Sequence, residues 1–200
     1  MRAAIFHGPN RPLEIADWPA PRPGFGEVVV RVAGCGLCHT DLHYIDHGVK
    51  TFKTPPLVLG HEAAGVVAEL GPGVTGRAVG DRVLIPSVFG CGHCEYCRQG
   101  RENLCSQMVM PGNNIDGAYA ELIAVPAKEL LIVPPELALD HACVIADPAR
   151  AAEAIELYRQ AGFEVRADPI VPDDLRDECE SCLLIKAGLL KVIYTRRRSE

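Results

Sequence analysis

Four cysteines, Cys91, Cys94, Cys97 and Cys105, stand in the spacing C-x2-C-x2-C-x7-C within a loop that also carries Gly90, Gly92, His93, Gln99 and Gly100. Four thiolates from one short segment can close a tetrahedral shell around Zn²⁺ at sulfur–metal distances of about 2.3 Å, which leaves no position open for chemistry. A closed site of this kind is structural, and its binding energy is folding energy. An iron–sulfur cluster is the rival reading. Its bacterial run, C-x2-C-x2-C-x3-C-P, has a shorter last gap and a proline where this chain has Ser106. Unliganded thiols are the remaining alternative. The chain has 9 cysteines, an odd number that cannot all pair as disulfides, so metal ligation in a reducing compartment is the first expectation.

The rest of the first 147 residues follows a β pattern. Val28-Val29-Val30-Arg31-Val32, Gly65-Val66-Val67-Ala68, Arg82-Val83-Leu84-Ile85 and Tyr119-Ala120-Glu121-Leu122-Ile123-Ala124-Val125 are short runs rich in β-branched residues and bounded by Gly or Pro. With 19 glycines, 16 prolines and 6% aromatic residues in 200, the chain is turn-rich, which excludes a helical bundle. The expected class is mainly β, a partly open antiparallel barrel whose long Gly- and Cys-bearing loops carry the chemistry. After Pro148 the style changes. Residues 149–161 read as a helix closed by Gly162, 163–166 as a strand, 172–174 as a turn, 178–187 as a helix and 190–195 as a last strand. The expected division is therefore a domain over 1–147 and a small α/β tail over 148–200.

A net charge of −6, with arginines clustered only at Arg196, Arg197 and Arg198, argues against nucleic acid as a partner. Every apolar stretch is broken by Pro or charge within a few residues, and the start lacks a signal-peptide run. No membrane association and a cytoplasmic location are expected.

A second cluster lies between residues 34 and 65. Gly34-Cys35-Gly36-Leu37-Cys38-His39-Thr40-Asp41-Leu42-His43 packs two thiols, two imidazoles, a hydroxyl and a carboxylate into ten residues, and Gly60-His61-Glu62-Ala63-Ala64-Gly65 follows. A catalytic zinc needs three protein ligands and one open position, and Cys38 with His61 can supply two of them. Taken alone, a C-x-x-C can equally be a redox pair and a lone histidine a satisfied polar residue.

Together these motifs resemble the GroES-like catalytic domain of the zinc-dependent medium-chain alcohol dehydrogenases. Gly36-Leu37-Cys38-His39-Thr40-Asp41, Gly60-His61-Glu62-Ala63-Ala64-Gly65, Gly80-Asp81-Arg82-Val83 and the four-cysteine lobe occur in that family's order. The resemblance implies a GroES-like partly open barrel with one structural and one catalytic zinc. It implies Cys38 and His61 as ligands of the catalytic metal, with Glu62 beside it as a neighbouring or exchanging ligand. Thr40 takes the alcohol proton in this reading, His43 is the far end of the relay, Asp41 orients His61, and His39 approaches the cofactor pyrophosphate. The family's third ligand falls at Asp147, and Cys35 is left as a small core residue. Met110 to Gly117, with Phe52-Lys53-Thr54-Pro55-Pro56, is similar to the branch acting on cyclic hydroxy-acyl thioesters.

The implied reaction is alcohol oxidation with hydride transfer to NAD(P), and that cofactor needs G-x-G-x-x-G opening a helix. The one literal match, Gly71-Pro72-Gly73-Val74-Thr75-Gly76, leads into turn and strand and reads as a loop. Cys179 and Cys182 form a C-x-x-C with three readings, a redox pair, half a metal site or, given the following Leu183-Leu184-Ile185, packed helix, and the tail shows no substitute fingerprint. The expectation is therefore a zinc oxidoreductase domain that is inactive as a single chain unless a partner chain supplies the cofactor fold. The alternative is a non-catalytic, zinc-stabilised domain that binds a partner or oligomerises.

Overall fold

The structure is a computed structural model that describes residues 1–143, 185–187 and 190–193. The chain runs β1 (Arg2–Phe6), β2 (Glu14–Asp17), β3 (Glu27–Gly36), α1 (His39–Ile45), β4 (Leu57–Val58), β5 (Glu62–Leu70), β6 (Arg82–Ile85), α2 (Glu95–Arg98), β7 (Leu122–Pro126), β8 (Leu131–Ile132), α3 (Leu139–Ala142), β9 (Ile185–Ala187) and β10 (Leu190–Ile193).

The valine run at 28–32 becomes the organising strand, with Val28, Val29, Val30 and Val32 buried. β5 covers one edge of β3, Val30 facing Val67 in antiparallel register. The other edge is shared: β7 pairs with Glu27–Arg31, and β10 runs parallel against Gly34–Gly36. β6 and β8 extend the sheet beyond β5, and β9 extends it beyond β10, giving seven strands. At Gly65 a side chain would collide with the Arg31 carbonyl, so glycine is what lets β5 lie this close to β3. A separate three-stranded sheet has the order β2-β1-β4.

Both sheets feed one core. Ile5 and Phe6 of β1, Leu57 and Val58 of β4, Val28 and Val30 of β3, Val67 of β5 and Ile85 of β6 belong to a single buried cluster. Each large side chain removed from water contributes about 1.5–3 kcal/mol. A smaller cluster of Ala64, Leu84, Val133, Ala142 and Cys143 seats α3 against β5 and β6. The mainly β expectation holds, in the form of open sheets.

Several details differ from the sequence reading. The strand expected from Tyr119 begins at Leu122, because Tyr119 lies across the sheets, donating its N–H to the Leu59 carbonyl at 2.9 Å and accepting from Ala4 at 2.8 Å. The helix expected over 178–187 is corrected at its end. Residues Ile185–Ala187 are strand, because their backbone groups pair antiparallel with β10, Leu190 facing Ala187 across a two-residue connection. The elements expected at 149–161, 163–166 and 172–174 lie outside the described residues, as does the rest of 178–184. Gly71 to Gly76 forms the turn after β5, with Gly73 and Gly76 at positive φ of 75° and 71°, and the next element is strand β6. Among the described residues no helix is long and apolar enough to cross a membrane.

Candidate metal centres

The four-cysteine loop folds on its own short-range contacts. Cys94 caps α2, its sulfur accepting the Cys97 N–H at 3.5 Å, which turns the loop back on itself. The Cys91 N–H points to Cys105 Sγ, Cys94 N–H to Cys91 Sγ and Gln107 N–H to Cys105 Sγ, each at 3.3 Å. All four sulfurs lie within 4.8 Å of one another, and Cys91 Sγ is 3.9 Å from Cys97 Sγ. Tetrahedral thiolates bound at about 2.3 Å stand roughly 3.8 Å apart, so the set already has the dimensions of a zinc shell. A Cβ at Gly90 would sit 3.0 Å from Cys97 Sγ, a tight approach that the sulfur would have to yield to. Backbone donation, from His93 above all, draws the Cys91 thiol down to about 6, whereas burial pushes Cys97 up to about 12. Ionising all four together therefore calls for a cation. The residues fit zinc.

The second cluster is assembled from distant segments. Cys38 has extended backbone (φ −96°, ψ 159°), and its N–H donates to Asp41 Oδ2 at 3.0 Å, a reciprocal cap that starts α1 at His39. On the facing segment Gly60 takes φ +95°, and a side chain there would meet the Tyr119 ring at 2.6 Å and Cys35 Sγ at 2.9 Å. That turn delivers His61 and Glu62 at the head of β5. The Cys38 sulfur, an imidazole nitrogen of His61 and a Glu62 carboxylate oxygen come within 4.8 Å of one another. Gly36 lacks a Cβ where the Glu62 side chain passes, so the carboxylate can approach.

Asp41 is the hub of this arrangement and is completely buried. Beyond its Cys38 contact it accepts the Gly60 N–H at 3.3 Å on Oδ1 and the Tyr119 hydroxyl at 2.9 Å on Oδ2. His61 Nδ1 stands 3.7 Å from Asp41 Oδ1, an ion-pair separation longer than a hydrogen bond. Burial raises the Asp41 carboxyl, and the neighbouring His61 opposes that rise most. Burial also raises the Cys38 thiol, which the Thr40 backbone N–H and hydroxyl partly offset. The Thr40 Oγ1 is 3.6 Å from Cys38 Sγ. Burial raises the Tyr119 phenol well above its ordinary value, so its hydroxyl remains a donor.

Of the residues singled out in the sequence, Cys38, Thr40, Asp41, His61 and Glu62 gather here, while His39 and His43 are exposed on α1. Cys35 is fully buried in the core. Asp147, Cys179 and Cys182 lie outside the described residues. Sequence reasoning missed Tyr119, whose one hydroxyl proton is shared between Asp41 and the Gly36 carbonyl, 3.1 Å away. The segments 52–56 and 110–117 are joined as well. Phe52 N–H donates to Asn113 Oδ1 at 2.8 Å, and Asp116 takes Lys53 Nζ at 2.6 Å and Trp18 Nε1 at 3.2 Å.

The family profile described as "Alcohol dehydrogenase GroES-like domain" matches residues 24–135, which span both clusters. The chain belongs to the alcohol dehydrogenase GroES-like domain family. It is 43% identical over 147 residues to an alcohol dehydrogenase of Geobacillus stearothermophilus, covering 72% of this chain and 43% of that protein. It is 38% identical over 199 residues to an L-threonine 3-dehydrogenase of Xanthomonas euvesicatoria pv. vesicatoria, covering 98% of this chain and 56% of that relative. The second match takes in the tail, for which the sequence alone suggested no family. The chain spans about half the length of these curated relatives. Among solved structures, it resembles an NAD-dependent alcohol dehydrogenase at a TM-score of 0.68 and 40% identity over 73% of this chain and 43% of that one. It also resembles a cobalt- and zinc-bound thermostable alcohol dehydrogenase from Pyrobaculum aerophilum, at a TM-score of 0.66 and 38% identity over 72% of this chain and 44% of that one.

Proposed function

We propose that these residues form the zinc-binding part of an alcohol dehydrogenase, acting on a small alcohol with NAD(P) as hydride acceptor. The observation that carries this reading is the pairing of a four-thiol set with a mixed set of three donors, one short of a closed tetrahedral shell. In this reading Cys91, Cys94, Cys97 and Cys105 hold a structural zinc. Cys38 and His61 would hold the catalytic one with Asp147 as third ligand, Glu62 standing beside it as a neighbouring or exchanging ligand. Zinc bound there supplies Lewis acidity toward the alcohol oxygen. Thr40, beside Cys38, accepts the alcohol proton on Oγ1 and passes its own toward His43, exposed one turn along α1, from which it reaches solvent. Asp41 opposes reorientation of His61 through charge, and its buried contacts hold the Cys38 and Gly60 segments in register. His39, at the first position of α1, is placed to meet a cofactor phosphate.

The paired loops 52–56 and 110–117 are the proposed substrate-recognition wall, with cyclic hydroxy-acyl thioesters as the finer substrate class. Residues 1–147 are the proposed domain unit, and 148–200 an appended segment from which β10 adds to the sheet. The test is metal content. Two zinc ions per chain are expected, with Cys38→Ser and Cys97→Ser each removing a different one. A cobalt-substituted mixed site should show a d–d spectrum that changes in Glu62→Gln or Asp147→Asn according to which carboxylate binds. A single zinc that survives Cys38→Ser, with no second site detectable by cobalt, would overturn the proposal.

A further inference from the structure

Three imidazoles, His39, His43 and His47, follow one another at intervals of four along α1 and the turn after it, and all three are exposed. Their rings form a ladder. The His39 and His43 centroids are 5.9 Å apart with planes inclined at 50°, and those of His43 and His47 are 5.3 Å apart at 47°. None of the metal sets above uses His43 or His47.

We infer that His43 and His47 form a surface chelate for a divalent transition cation that takes tetrahedral ligation, Zn²⁺ first among them. The separation is the first argument. A cation about 2.0–2.1 Å from one nitrogen of each of two imidazoles, at the tetrahedral angle, sets the ring centroids roughly 5 Å apart. The His43–His47 spacing of 5.3 Å meets that value, whereas the 5.9 Å of His39–His43 is wider. The backbone carrying the pair is also fixed. Asp46 N–H donates to the Leu42 carbonyl at 2.7 Å, Val49 N–H to the His43 carbonyl at 3.1 Å and Asn10 N–H to the Ile45 carbonyl at 2.7 Å. Chelation therefore orders two side-chain rotamers and no backbone, which keeps its entropic cost small. Neutral imidazole is a ligand that Ni²⁺, Cu²⁺ and Zn²⁺ share, and with two protein donors the cation keeps water in its other positions. The site is therefore exchangeable, unlike the thiolate sets. Occupancy would also commit a His43 lone pair and so obstruct the proton path; that consequence rests on the relay proposed above, while binding itself does not.

The experiment is calorimetric titration of Zn²⁺ into the full chain already loaded with two equivalents of zinc, so that the thiolate sites are filled and the surface pair is not. No turnover is needed, so failure here is separate from failure of the dehydrogenase reading. One further Zn²⁺ per chain is expected, with His43→Gln and His47→Gln each weakening its binding by roughly tenfold or more. His7→Gln, which alters an exposed histidine elsewhere, should leave it unchanged. Affinity within roughly twofold of the parent in His47→Gln, or an equal loss in His7→Gln, overturns the inference.

Discussion

Replacing Tyr119 with phenylalanine removes one oxygen from a completely buried position and keeps the ring that packs against Gly60. The hydroxyl has one proton, which it shares between Asp41 Oδ2 at 2.9 Å and the Gly36 carbonyl at 3.1 Å. Hydrogen bonds to a charged partner are worth about 1.5–3 kcal/mol, and a buried acceptor left short of donors cannot recover that from water. Oδ2 would then keep only the Cys38 N–H at 3.0 Å. A loss of about 2 kcal/mol is expected, and with a urea m-value of about 1–3 kcal/mol/M the midpoint falls by about 1 M. The assay is urea unfolding of the zinc-loaded chain followed by fluorescence of the single tryptophan, Trp18, whose indole donates to Asp116. A double-mutant cycle with Asp41→Asn isolates the pair. A Tyr119–Asp41 coupling below about 0.5 kcal/mol would refute the view that this hydroxyl holds the carboxylate.

Gly60→Ala should destabilise the chain by about 2 kcal/mol or more, since φ is +95° and the added carbon would lie 2.6 Å from the Tyr119 ring; thermal unfolding checks it. Under a chelator, zinc should leave the Cys38–His61–Glu62 set before the four-cysteine set, because the closed shell has four thiolates; two-phase release timed with a metal dye would show this, and single-phase loss would not. Cys97→Ser should lower folding stability and leave the mixed-site cobalt spectrum intact. The 200-residue chain alone should oxidise no alcohol with NAD or NADP, and turnover abolished by Cys38→Ser would contradict that expectation.

How far the sequence could be read depended on range. The strands around 28–32, 65–68 and 82–85 were legible because valine and isoleucine runs sit between glycines and prolines. β1 was not, since its Ala3 and Ala4 have little intrinsic strand preference and are held by burial between two neighbouring strands. α1 also escaped, being only 7 residues long and set by the Cys38–Asp41 cap rather than by any apolar period. The thiol and imidazole donors announced themselves by spacing. Tyr119 could not, because its partner Asp41 is 78 residues away and only the assembled sheets bring them together.

The reach of Asp41's contacts bears on the order in which the two proposed metal sets come together during synthesis. The sulfur contacts of the four-cysteine loop lie between Cys91 and Gln107, so that set can gather as the stretch emerges from the ribosome. The Cys38–His61 pair is synthesised earlier but must wait, since the carboxylate that ties its two segments is completed by Tyr119. The first donors made are thus the last brought together, and a metal bound at Cys38 and His61 would enter a chain whose four-cysteine loop has already closed on itself.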